Sequence, residues 1–144
     1  MTFEAGREDN LGQRYHVDLT SDQRRVLRAG IHQWLGPAKC SDPLAAIIGY
    51  TNKQELLEDV PRLIRALDSE APMSGHDWRR VLLSTEIVFG SDVLGTGVEW
   101  ATVSGYQDAE TIGLLRQLQR LLGSVVRGQG ALGSAGVEVI EDDR

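Results

Sequence analysis

Glu86 is placed where a carboxylate is least expected. On a helix its neighbours four and three residues back and three ahead are Leu82, Leu83 and Phe89. A carboxylate in such surroundings must be ion-paired, hydrogen-bonded or protonated. Asp92, Glu99 and Trp100 follow closely, around Gly95-Thr96-Gly97. If these side chains converge, Glu86, Asp92, Glu99 and Trp100 form an acidic cleft with an aromatic wall. Such a cleft can hold a cation, an arginine-bearing partner or a water for hydrolysis. The structural alternative has Glu86 accepting backbone N–H bonds from the turn at 95–98 while Asp92 caps that turn.

The other reactive residue types form no recognisable set. His32 has no second histidine three or four residues away, and the sequence predicts no metal site. Cys40 sits beside Lys39, but a catalytic thiol needs a positioned base, so an inert thiol is expected. Gly95-Thr96-Gly97 has no third glycine and follows a helical pattern, which excludes a dinucleotide fingerprint. Ser84, Ser91 and Ser104 lie in no nucleophile elbow. No cofactor is expected. Trp34, Trp78 and Trp100 fall on or beside apolar faces and read as core rather than as a platform for bases.

Composition narrows the class of partner. The chain has 144 residues with 41% hydrophobic and 25% charged side chains, ordinary values for one globular domain. No apolar run approaches the roughly 18 residues of a membrane span. The opening stretch, MTFEAGREDNLGQR, has no apolar core or cleavage site of a secretory signal. With a single cysteine, this predicts a cytoplasmic protein. The net charge of −6 is spread along the chain, so no long-range attraction for nucleic acid or an anionic membrane is expected.

The elements that must position these residues are helical. Residues 1–14 show no periodicity and are expected to be disordered. Tyr15-His16-Val17-Asp18-Leu19 alternates and suits a short strand or an extended lead-in. Thr20 with Gln23, or Ser21 alone, reads as the N-cap of a helix carrying Leu27, Ile31, Trp34 and Leu35 at helical spacing. Ser41-Asp42-Pro43 starts a short helix that Gly49 ends. A capping box at Thr51 and Gln54 opens a longer one, with a kink or a fresh start capped by Asp59 expected at Pro61. The most buried helix is expected at 76–89, then a short helix at 98–104. A final helix capped by Asp108 has Ile112, Leu115, Leu118 and Leu122 inward. Residues 124–144 read as a flexible, glycine-rich acidic tail in which only Val137-Glu138-Val139-Ile140 has strand character.

Asp77-Trp78-Arg79-Arg80-Val81-Leu82 nearly repeats Asp22-Gln23-Arg24-Arg25-Val26-Leu27, and Gly105-Tyr106 repeats Gly49-Tyr50. The expected fold is therefore an all-α single domain over 15–123, made of two pseudo-repeated three-helix units at about 20–70 and 74–123. A helix-turn-helix is compatible with that order, but the last helix opens Gln107-Asp108-Ala109-Glu110, which repels a phosphate backbone. By elimination, the sequence points to a non-catalytic protein-binding module of inhibitor or immunity type that offers acidic residues to a basic protein partner. DNA binding and a small carboxylate-dependent hydrolase using Glu86 with Asp92 or Glu99 are the alternatives.

Overall fold

The computed structural model describes residues 10–141. Within them the order is β1 (Arg14–Val17), α1 (Ser21–His32), a 3-10 turn (Gln33–Leu35), α2 (Asp42–Ile48), α3 (Lys53–Asp68) and β2 (Met73–Ser74). There follow α4 (Gly75–Gly90), a second 3-10 turn (Gly97–Glu99), α5 (Trp100–Ser104), α6 (Asp108–Val126) and β3 (Val137–Ile140). The chain is mostly helical, with one small three-stranded sheet. Among the described residues, no helix is long and apolar enough to cross a membrane.

Helix starts follow the cap chemistry. The Thr20–Gln23 capping box, Ser41 before Pro43 and Ser74 before Asp77 each supply an acceptor for a free N–H of the first turn. Gly49 and Gly105 end α2 and α5 at positive φ, 124° and 81°. Several local expectations are corrected, and Leu35, expected on the apolar stripe, is 47% exposed. Asn52, not Thr51, caps α3, its side chain accepting from Glu55 N. That helix runs unbroken through Pro61, and Asp59 is drawn into side-chain bonds with Tyr50 and Arg62 instead of capping a new start. In α6 the cap is Gln107, whose N–H is accepted by Glu110, and Ile112 is 50% exposed because Thr111 takes the inward position beside it.

The central layer is a crossing of α1 and α4, which pack more extensively on each other than any other pair. An added Cβ on Gly30 would lie 2.3 Å from Thr85 Oγ1, so only glycine permits this approach. Thr85 hides its own hydroxyl by donating to Val81 O at 2.8 Å. Two core clusters share this pair: Leu27, Ile31, Trp78, Val81 and Leu82 face one, Val26, Trp34 and Val88 the other. α3 and α6 close the first cluster with Leu63, Leu67, Leu115, Leu118 and Leu122. α2 packs on α4, and α5 packs on α1.

The sheet goes beyond the short N-terminal strand that the sequence suggested. β1 is its middle strand, antiparallel to β2 (Tyr15 opposite Met73) and to β3 (Tyr15 opposite Val139). Tyr15 is fully buried, and Trp78 Nε1 donates to its carbonyl at 3.0 Å, which ties the sheet to α4. The tail expected to be flexible from 124 therefore differs: α6 continues to Val126, and Val137 and Val139 pack against the first core cluster. Residues 10–12 form a helical turn, and Asn10 Nδ2 reaches Gly128 O at 3.1 Å. Residues 1–9 and 142–144, the rest of the segments expected to lack order, lie outside the described residues.

Removing β3 by truncation after Gly136 uncovers the paired edge of β1 and two valines. The expected result is a Tm lowered by roughly 5–10 °C in a thermal melt, about 2 kcal/mol for a chain of this size. Gly30→Ala should cost about 1–3 kcal/mol by overpacking the crossing. Moving the glycine across, Gly30→Ala with Thr85→Gly, should recover part of that loss in urea titrations.

Candidate functional site

Side-chain chemistry concentrates at the junction of α3, α4 and the Gly49-Tyr50 turn. Arg62 grips two carboxylates: its Nε and one terminal nitrogen reach Asp59 at 2.6 and 2.9 Å, and its terminal nitrogens reach both Asp77 oxygens at 2.9 Å. Arg80 donates to Asp77 Oδ1 at 3.0 Å and to Gly49 O at 2.6 and 3.1 Å. Its guanidinium also lies 4.3 Å from the centre of the Tyr50 ring, a cation–π contact. Tyr50 in turn donates its hydroxyl to Asp59.

The fork geometry explains why the network can be half-buried, since a planar guanidinium satisfies two oxygens of each acid. Asp77 is 6% exposed. Burial alone would raise its pKa, but the hydrogen bond and charge of Arg62, with those of Arg80, outweigh burial and hold the carboxyl below its ordinary range. Asp59 is held low by the same balance of burial against Arg62 and Tyr50. Burial, then the bond to Asp59, pushes the Tyr50 hydroxyl far above its ordinary value. Both acids stay charged and Tyr50 stays protonated at neutral pH, so the cluster is an ionic clasp with no group poised to exchange a proton.

The four residues singled out from sequence are dispersed. Glu86, half-buried, accepts from Gln119 Nε2 at 2.6 Å and lines a cleft of about 520 Å³ with Arg79, Leu82, Leu83 and Arg127. Neither Asp92 nor Glu99 lines that cleft. Asp92 Oδ1 accepts Val98 N at 3.0 Å, a turn cap. Glu99 is exposed. Trp100 is fully buried, donating to Thr111 Oγ1 at 2.7 Å and meeting Phe89 edge-on at 5.7 Å between centroids. Among the described residues no group of histidine, cysteine and acidic side chains could hold a metal ion. Burial pushes the Cys40 thiol pKa up, the opposite of activation.

The loop from Ser91 to Trp100 has a different character. Leu94 N donates to Ser91 Oγ, Gly95 N to Ser91 O, Thr96 N to Val88 O and Val98 N to Asp92, while Lys39 N donates to Leu94 O from the facing loop. A Cβ on Gly95 would lie 2.5 Å from Val88 Cα, so the loop sits directly on α4. With its backbone held inward on every side, the loop turns Val93 and Val98 out, 78% and 80% exposed. Asp92 and Glu99 flank them, both exposed.

Sequence reasoning did not find the Arg62 clasp, because its members come from three separate elements. The one available signal was the Asp77 to Arg80 spacing, which places both on one helix face. Compared with protein-family models, curated proteins and solved structures, the chain matches none.

Asp59 and Asp77 have folded pKa values below their ordinary value of 3.8. Their stabilisation is therefore complete above about pH 4 and is lost as pH falls through the lower, folded values. Urea titrations from pH 6 to 2.5 should show stability dropping below pH 4, with a shallower fall in Asp77→Asn. At neutral pH that variant should lose about 1–3 kcal/mol, because Arg62 and Arg80 lose their shared partner.

Proposed function

We propose that the protein is a non-catalytic protein-interaction module, of inhibitor or regulatory type, that docks through the loop at 91–99. The carrying observation is the pair Val93 and Val98, about four-fifths exposed on a backbone braced by hydrogen bonds. Exposed apolar side chains on a pre-organised loop lose little entropy on binding and bury apolar area at once. Asp92 and Glu99 at the rim favour a partner whose apolar contact is flanked by basic residues. In this reading Trp100 and Phe89 support the loop from beneath. The module operates in a reducing cytoplasm, where Cys40 remains a thiol.

The domain is also read as a duplication of one three-helix unit. In favour of this, α1 and α4 carry hexapeptides that differ at one position, Gln23 against Trp78, and the positions that touch across their crossing, Gly30 and Thr85, are 55 residues apart, like the hexapeptides. The buried positions of α3, Leu56, Val60, Leu63 and Leu67, return in α6 at the same spacing as Thr111, Leu115, Leu118 and Leu122. Packing of α2 on α4 and of α5 on α1 completes a reciprocal exchange between the two units.

Val93→Ser with Val98→Ser tests the loop. The double variant should melt within about 1 kcal/mol of wild type, since neither side chain is buried. Affinity capture from the native cell should retain a protein with wild type that this variant and Glu99→Gln lose, Glu99→Gln mainly at low salt. Capture undiminished by the loop variants would overturn the reading. Retention of DNA fragments that resist moderate salt would replace it with DNA binding.

A further inference from the structure

Around Tyr106 the protein has a second version of the site around Tyr50, with one component missing. In the first, Tyr50 follows a positive-φ glycine, Arg80 reaches over from the other unit, and Arg62 fills the space beside Asp77. In the second, Tyr106 follows positive-φ Gly105 and borders a cleft together with Arg25 from the other unit. Its hydroxyl donates to Asp22 Oδ1 at 2.8 Å. Asp22 and Arg25 each precede Asp77 and Arg80 by 55 residues, as Glu55 precedes Glu110.

The spacing that relates the buried faces of α3 and α6 puts Gln117 at the position of Arg62 and Leu114 at that of Asp59. Gln117 is engaged by Gln23, whose Nε2 donates to its Oε1 at 3.1 Å. No guanidinium therefore comes from α6 to Asp22. Asp77 is buried beneath two arginines, whereas Asp22 is exposed. Between α1, α5 and the start of α6 lies an open cleft of about 550 Å³, bordered by Asp22, Arg25, Arg28, His32, Tyr106 and Glu110. Arg28 is already paired with Asp68 at 2.8 Å, and Arg25 is the counterpart of Arg80, which shares Asp77 with Arg62 without excluding it.

We propose that this cleft receives one arginine side chain of a protein partner, its guanidinium lying between Asp22 and Glu110 as Arg62 lies against Asp77 in the other half. The chain carries its own template for the ligand: the filled site shows which group fits beside an aspartate, a tyrosine and a bridging arginine. A planar fork matches such a carboxylate where an ammonium point charge does not. The inference rests on the reading of the protein as an interaction module, but its contacts are separate from the loop at 91–99.

The test uses the full chain and blocked amino acids, so that it can fail independently of the loop. N-acetyl-arginine methylamide is titrated into isotope-labelled protein, with the blocked lysine and inorganic phosphate as comparators. Saturable shifts of the Gly105, Tyr106 and Glu110 amides are expected with arginine, several-fold weaker with lysine, and none with phosphate. Asp22→Asn and Glu110→Gln should each weaken the arginine response at least about fivefold, the loss of a charge-assisted bond, while retaining the wild-type melt. Gln117→Arg should abolish it and raise the Tm, because the new side chain occupies the cleft as Arg62 does its own. Absence of saturable arginine shifts, an unchanged response in Asp22→Asn or Gln117→Arg, or a preference for phosphate at Arg25 and Arg28 would overturn the proposal. If these shifts appear while the loop variants keep their partner, the loop reading fails and the cleft stands. If the loop variants lose their partner and no arginine shift appears, the cleft alone fails.

Discussion

Everything else in this fold is set by how closely α1 and α4 approach at Gly30 and Thr85. Two helices that meet with almost no side chain between them cannot share a core along their whole length. Their apolar residues must diverge to either side of the contact. Leu27 and Trp78 go with the sheet, α3 and α6, whereas Val26, Trp34 and Val88 go with α2 and Trp100. One glycine therefore divides the interior into two packed regions. It also leaves α2 free to lean on α4, and α5 on α1.

The polar interactions are arranged around that division. Arg62, Asp77 and Arg80 close one flank, joining α3 to α4 and to the carbonyl of Gly49. A salt bridge partly withdrawn from water is weak evidence of stability in itself, because desolvation offsets most of the attraction. Its stronger consequence is geometric. The two forks fix the angle between α3 and α4 and orient Tyr50, and they leave no donor or acid free for chemistry. On the opposite flank Asp22, Arg25, Tyr106 and Glu110 border a cleft that stays open.

Glu86 shows how a sound local argument reaches only so far. Its leucine neighbours correctly implied that it needs a partner, since that requirement comes from the helix alone. The partner turned out to be Gln119, thirty-three residues away on α6. Whether Asp92 and Glu99 joined it depended on where the chain turned after Gly90, and the turn used Asp92 for its own Val98 N–H. Trp100, read from sequence both as the wall of an acidic cleft and as core, lies fully in the core. Its hydrogen bond to Thr111 was not legible, because an indole N–H can be satisfied by many acceptors.

Sequence by itself determined the helices and the caps of α1 and α2, because these depend on interactions within four residues. It also marked Gly49 and Gly105 as stops. Tertiary structure alone decided how the sheet pairs: the alternation after Tyr15 suits a strand, but its partners lie near residues 73 and 139, and nothing local selects them. The same holds for the tail, whose glycines argue against a helix and whose run from Val137 to Ile140 cannot by itself select β1 as the strand it pairs with. It holds too for the Arg62 clasp and the open cleft at Tyr106, because a charge on a helix surface has the same local sequence whether it meets water or another helix.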